Sequence, residues 1–188
     1  LIWVRGMIAI AEIMRAYPEY TTHNLIEDYP KMKQCFLVEN RIRCLDAVMP
    51  HVGDSGTMGK WNRPGSPERL ARGYDFYRDP QLAAMAWREA EGNRDLLRLD
   101  DAIFTDDPEA LVDEIARVAR EMPDELKSYH MGRYGQAVLQ TPRREDGRAV
   151  WMHYGSELRH SHRDTLNIGL YAKHVSMLPE MGNPEHKS

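Results

Sequence analysis

Cysteine is nearly absent: the 188 residues hold two, Cys35 and Cys44. Both fall on a predicted helix, on roughly opposite sides of it, which argues against a bridge. They read as buried free thiols and leave the redox compartment open. Long apolar runs are missing too. None reaches the roughly 18 residues of a membrane span, and no membrane partner is expected. The start, Leu1-Ile2-Trp3-Val4-Arg5, has no initiator Met and no basic, apolar and small-residue sequence of a leader. Both ends read as cut, so a fragment of a longer protein is expected. The missing leader then says nothing about location. A strong charge of either sign is lacking as well: net −4 and pI near 6.1 give no reason to expect nucleic acid. Arginines grouped locally could still meet an acidic ligand. There are no internal repeats or low-complexity segments.

What is present is an ordinary globular composition, 42% hydrophobic and 29% charged, ample for a core. Residues Trp3–Tyr17 have helical periodicity, with Ile8, Ala11, Ile13 and Met14 on a broad apolar face before Pro18. Tyr20–Tyr29 reads as a loop or short helix. Pro30–Asp46 reads as a second helix, with Met32, Phe36, Leu37 and Val38 inside. Glycine and proline break Met49–Pro67 into a long structured loop. Three helices with clear start signals follow, at Ser66-Pro67, Asp79-Pro80 and Asp107-Pro108, each a capping side chain followed by Pro in the first turn. Gly92 stops the second and Pro123 closes the third. Helices joined by short connectors suggest antiparallel helical packing.

Near Ser128 the period changes from helix to strand. Tyr134–Thr141 reads as a strand, Arg144–Gly147 as a hairpin turn and Arg148–Tyr154 as the returning strand. Thr165–Ala172 and Val175–Leu178 form another pair. The fold class is α+β, with a helical portion over residues 1–127 and antiparallel strands over 128–188.

The densest chemistry lies between the second and third strands, in His160-Ser161-His162-Arg163-Asp164. In extended backbone, residues two apart project to one side. Two imidazoles and a carboxylate so arranged could hold a metal or move protons; a solvated bend fixed by Asp164 is the plainer alternative. The metallo-β-lactamase pattern shares His-x-His-x-Asp but needs a further His, where Thr165 stands. A longer set of motifs fits better: Tyr134-Gly135, Tyr154-Gly155, His160-Ser161-His162-Arg163-Asp164, Leu166-Asn167-Ile168-Gly169-Leu170-Tyr171-Ala172, and Leu178-Pro179-Glu180 with Gly182 and Pro184. Together these resemble the heparinase II/III-like family of polysaccharide lyases, over about residues 128–185. Upstream, Met49-Pro50-His51-Val52-Gly53-Asp54-Ser55-Gly56 and the helices after it are similar to the last part of that family's helical toroid.

The resemblance implies the C-terminal part of an α/α toroid followed by the first antiparallel strands of a β-sandwich, with the active site between them. It implies a lyase that cleaves an acidic, uronate-containing polysaccharide by β-elimination, in the periplasm or secreted. His160 would line the cleft and assist catalysis. His162 would bind a structural zinc, with Glu180 at the position where the family has Asp. The family's Tyr base has no match here and is expected before Leu1, with a further zinc ligand after Ser188, so these residues alone are expected to be inactive. His51 and Asp54 could touch sugar, and Arg159 and Arg163 could pair with a uronate carboxylate. Gly53-Asp54-Ser55-Gly56 is also similar to the nucleophile segment of trypsin-like proteases, without its continuation, and reads equally as an Asx-type turn. Trp61 could stack on sugar, whereas Trp151, on a strand, is expected in the core. Core or surface roles are expected for Tyr17, Tyr20 and Tyr29. A carbohydrate-binding relative without catalysis, and a metal-dependent hydrolase built on His160, His162 and Asp164, stay open.

Overall fold

The structure, a computed structural model, describes residues 2–46, 48–50, 66–97, 99, 105–123, 125–145, 147–155, 166–173 and 175–178. It combines helices with an antiparallel five-stranded sheet. Its described residues form two compact units: 2–38 with 66–123, and 39–50 with 125–178. No helix among them is long and apolar enough to cross a membrane.

The first unit is helical. It contains α1 (Ile2–Ala16), the single turn α2 (Leu25–Asp28), most of α3 (Lys33–Ile42), α4 (Pro67–Tyr77), α5 (Pro80–Glu89) and α6 (Pro108–Glu121). The predicted start signals work as expected. Ser66 Oγ accepts from Arg69 N at 3.2 Å, and Asp79 and Asp107 side chains accept from Gln81 N and Ala110 N, both at 2.9 Å. Each satisfies a backbone donor that the first turn leaves unpaired. Gly92, at φ +71°, ends α5 by donating to Trp87 O. Phe36, Leu37, Leu70, Leu82, Leu97 and Ile115 are almost completely buried in one core. The apolar face of α1 is narrower than its composition suggests. Ile8 and Ala11 are buried, but Ile13 is 50% exposed. The position beside Ala11 goes instead to Glu12, which is paired with Arg72 at 3.4 Å.

The second unit is a meander, with strands in the order β1 (Tyr129–Met131), β2 (Gln136–Gln140), β3 (Arg148–His153), β4 (Asn167–Ala172) and β5 (Val175–Ser176). β1 was not foreseen; Tyr134 and Gly135 belong to the turn that joins it to β2. Register aligns Val138, Trp151 and Gly169 across three strands on one face. That face packs with Cys44, Leu45 and Leu126, and Trp151 is buried as expected. A Cβ on Gly169 would lie 2.1 Å from Trp151 Nε1, so only glycine lets the indole lie against β4. Leu139, Val150 and Ile168 occupy the opposite face and are exposed.

The second predicted helix ends earlier than Asp46. After Ile42 the chain closes a tight turn in which Cys44 and Val48 exchange backbone hydrogen bonds at 2.7 and 2.9 Å. Leu45 and Asp46 take left-handed backbone there, at φ 56° and 52°. Side chains of β2 hold this costly conformation: Leu45 N donates to Gln140 Oε1 at 2.6 Å, and Gln136 Nε2 donates to Ile42 O at 2.9 Å. Cys44 is therefore off the helix that was expected to carry it. It is free and buried, while Cys35 is free and half-buried rather than buried.

Candidate functional site

The residues singled out for chemistry, His51, Asp54, Arg159, His160, His162, Arg163, Asp164 and Glu180, lie outside the described residues, as does Trp61. What the structure does bring together is the end of the sheet next to them in sequence. β3 finishes at His153, opposite the first residue of β4, Asn167. The β1–β2 turn, residues 132–135, lies at this same end, because Gln136 pairs with His153.

Two Tyr-Gly pairs meet there. Gly135 O accepts from Tyr154 N at 2.7 Å and from Gly155 N at 3.1 Å. Gly135 has φ +78°, and a Cβ on it would lie 2.1 Å from Gly155 Cα. A Cβ on Gly155 would lie 2.7 Å from Tyr134 O. Both glycines are thus required by one backbone crossing, which ordinary side chains could not enter.

The crossing positions two aromatic–imidazole pairs. Tyr154 Oη lies 2.6 Å from His130 Nε2, and their rings stack with centroids 6.0 Å apart. With a neutral imidazole protonated on Nδ1, the phenol is the donor and Nε2 the acceptor. Tyr134 meets His153 edge to face at 6.3 Å. Desolvation raises the Tyr134 phenol pKa, so it stays protonated at neutral pH. His153 Nδ1 is buried with no hydrogen-bond partner among the described residues. Arg133 is exposed in the same turn.

Charge is distributed unevenly over the sheet. Between residues 128 and 178 the described side chains include one carboxylate, Glu145, in the hairpin at the opposite end of the sheet. Against it stand Arg133, Arg143, Arg144, Arg148 and Lys173. Arg143, Arg144, Arg148 and Lys173 share the opposite end of the sheet with Glu145, and Arg144 is paired there with Asp46 at 3.3 Å, so of the five only Arg133 lies at the end of the glycine crossing.

A cavity of about 630 Å³ in the helical unit is lined by Arg15, Asp75, Arg78 and Glu114 among others. Arg15 pairs there with Asp75 at 2.7 Å and Arg78 with Glu114 at 2.6 Å, while Asp107, also in the lining, caps α6 through Ala110 N. Tyr17, Tyr20 and Tyr29 are exposed. Among the described residues no group of three His, Cys, Asp or Glu side chains could hold a metal ion. No spacing in the sequence links His130 to His153. The doubled Tyr-Gly was the available signal.

No protein-family model matches the chain, and no curated protein matches it.

Proposed function

We propose that the chain is part of a polysaccharide lyase that cleaves uronate-containing polysaccharide by β-elimination. The observation that carries this reading is the lock between Tyr134-Gly135 and Tyr154-Gly155. These motifs, separate in sequence, are two pieces of the heparinase II/III-like resemblance. Their contact gives the resemblance a structural reason, and the segment bearing His160 and His162 begins directly after it.

In such an elimination a base removes the proton at C5, beside the carboxylate, and the C4 glycosidic oxygen leaves. Developing negative charge on the carboxylate side is the main obstacle, and cationic or donating groups lower it. In this proposal Arg159 and Arg163 pair with the uronate carboxylate, His160 assists proton transfer, and His51 and Asp54 contact sugar. His162 and Glu180, an imidazole and a carboxylate, are a donor pair suited to zinc, which would order the segment between them. The base lies in another part of the protein, and the work is done in the periplasm or outside the cell, where such polymers occur.

We also read the fold at finer grain: α4, α5 and α6 as the end of an α/α toroid, and the meander as the first sheet of a β-sandwich. The exposed Leu139, Val150 and Ile168 support this, because a second sheet would cover them. The test is to incubate the full-length protein with uronate polymers and follow the ultraviolet absorbance of the unsaturated product. Growth of that absorbance is expected from the full-length protein and none from these residues alone. Binding without product would favour a carbohydrate-binding relative.

A further inference from the structure

Helix α1 is amphipathic in the wrong sense for a helix facing water. Its described charged side chains reach back to α4: Glu12 meets Arg72 at 3.4 Å, and Arg15 meets Asp75 at 2.7 Å and lies 4.4 Å over the Phe76 ring. Its apolar side chains point the other way. Met7, Ile10, Ile13 and Tyr17 fall on one helical stripe, opposite Ile8 and Arg15, and each is exposed. Tyr17 follows the last residue of α1, but its N–H still donates to Ile13 O at 3.0 Å, which carries the stripe onward. Tyr20 extends it, with its ring 6.2 Å from that of Tyr17. A surface helix shows the reverse arrangement, charges out and apolar groups in. A contiguous apolar patch of this kind marks a surface that something covers.

We propose that the outward face of α1 is an interface between two copies of this chain, packed antiparallel about a two-fold axis at Ile10. The stripe is self-complementary about that point, as such an axis requires. Met7 and Ile13 stand three residues either side of Ile10, so each meets the other on the second copy. Gly6 and Met14 stand four residues either side. A Cβ on Gly6 would meet nothing within 4 Å, which leaves a gap where Met14 of the second copy seats. Antiparallel packing also opposes the two helix dipoles. Residues 6, 7, 10, 13, 14 and 17 carry no charge, so the two copies bring no like charges together. The area suffices as well. Met7, Ile10, Ile13, Tyr17 and Tyr20 are 41, 52, 50, 47 and 83% exposed, which offers roughly 600 Å² per copy and about 1,200 Å² per pair, the lower bound of a stable specific interface. A lipid surface is the poorer occupant. A helix lying on one carries free basic side chains beside its apolar face, whereas Arg15 is committed to Asp75.

The test is sedimentation velocity of the full-length protein over a micromolar concentration series, with Ile10→Lys and Gly6→Leu beside it. A reversible dimer is expected. Ile10→Lys sets two ammonium groups against each other at the axis and should weaken the dimer at least about a hundredfold. Ile10 is exposed within one copy, so the unfolding midpoint of the monomeric variant should match that of monomeric wild type. Gly6→Leu fills the gap and should weaken the dimer about tenfold. Ile10→Cys, in a chain also carrying Cys35→Ser, should oxidise to a disulfide between copies. A monomer throughout the series, or a dimer of unchanged strength in Ile10→Lys, would overturn the proposal. A monomer whose midpoint falls in Ile10→Lys would overturn it too, and assign the face to another part of the same polypeptide. So would a monomer that binds phosphatidylcholine vesicles and loses them in Ile10→Lys, which would assign the face to lipid.

Discussion

At the scale of single residues, the crossing of Gly135 and Gly155 is the least tolerant point described. Gly135→Ala adds a Cβ 2.1 Å from a backbone atom at a positive φ, combining left-handed backbone cost with overpacking, together about 3 kcal/mol. Gly132→Ala is the control: its Cβ would meet nothing nearer than His130 Cε1 at 3.6 Å, and a cost below about 1 kcal/mol is expected. Urea unfolding of the two variants measures the difference. The cysteines make a second prediction. Burial pushes the Cys44 thiol up to about 12 from 9.0. Below pH 9 the folded and unfolded states both hold this proton. Above it the unfolded state loses the proton first, so stability declines as pH rises toward 12, by about 1.4 kcal/mol per unit. Thiol labelling of the native protein at pH 8 should modify Cys35 well before Cys44, and unfolding should equalise them.

At the scale of elements, local signals were legible and long-range ones were not. The starts of α4, α5 and α6 could be read because a capping side chain and a following proline act within one turn. Asp107→Ala removes the acceptor for Ala110 N and should cost about 1 kcal/mol, measured as a lower midpoint in thermal unfolding. Strand β1 could not be read, because three residues carry little period and its stability comes from pairing with β2. The end of α3 was misplaced for a related reason. Leu45 has no intrinsic preference for left-handed backbone, and the bonds from Gln136 and Gln140 that hold the turn come from over ninety residues away. Ile13 was assigned inward on amphipathicity alone, whereas Arg72 rewards Glu12 in the buried position. The His130–Tyr154 pair shares this character, since 24 residues separate partners that only the meander brings within 2.6 Å.

At the scale of the molecule, the sheet has one covered and one uncovered face. Trp151, Val138 and Tyr171 lie beneath Leu126 and the Cys44–Val48 turn, while Leu139, Val150 and Ile168 face outward. An exposed apolar face of this kind marks either an interface or an aggregation hazard. Leu139→Lys with Ile168→Lys should leave the unfolding midpoint of the 188-residue chain nearly unchanged and raise its solubility. If the sheet is half of a sandwich, the same pair in the full-length protein should cost about 3 kcal/mol or more, because two charges enter a core. Equal small effects in both would remove the sandwich.

The pairing of His153 with Asn167 fixes where the intervening chain, residues 154–166, leaves the sheet and returns to it. Adjacent strands bring those two points together however many residues join them, and each doubling of such a loop adds only about 0.6 kcal/mol of closure entropy. The strand frame therefore works as a socket. Its ladder, its indole and its glycine crossing are set by residues outside the intervening segment, so a change of length or sequence between those two points demands no redesign of the sheet.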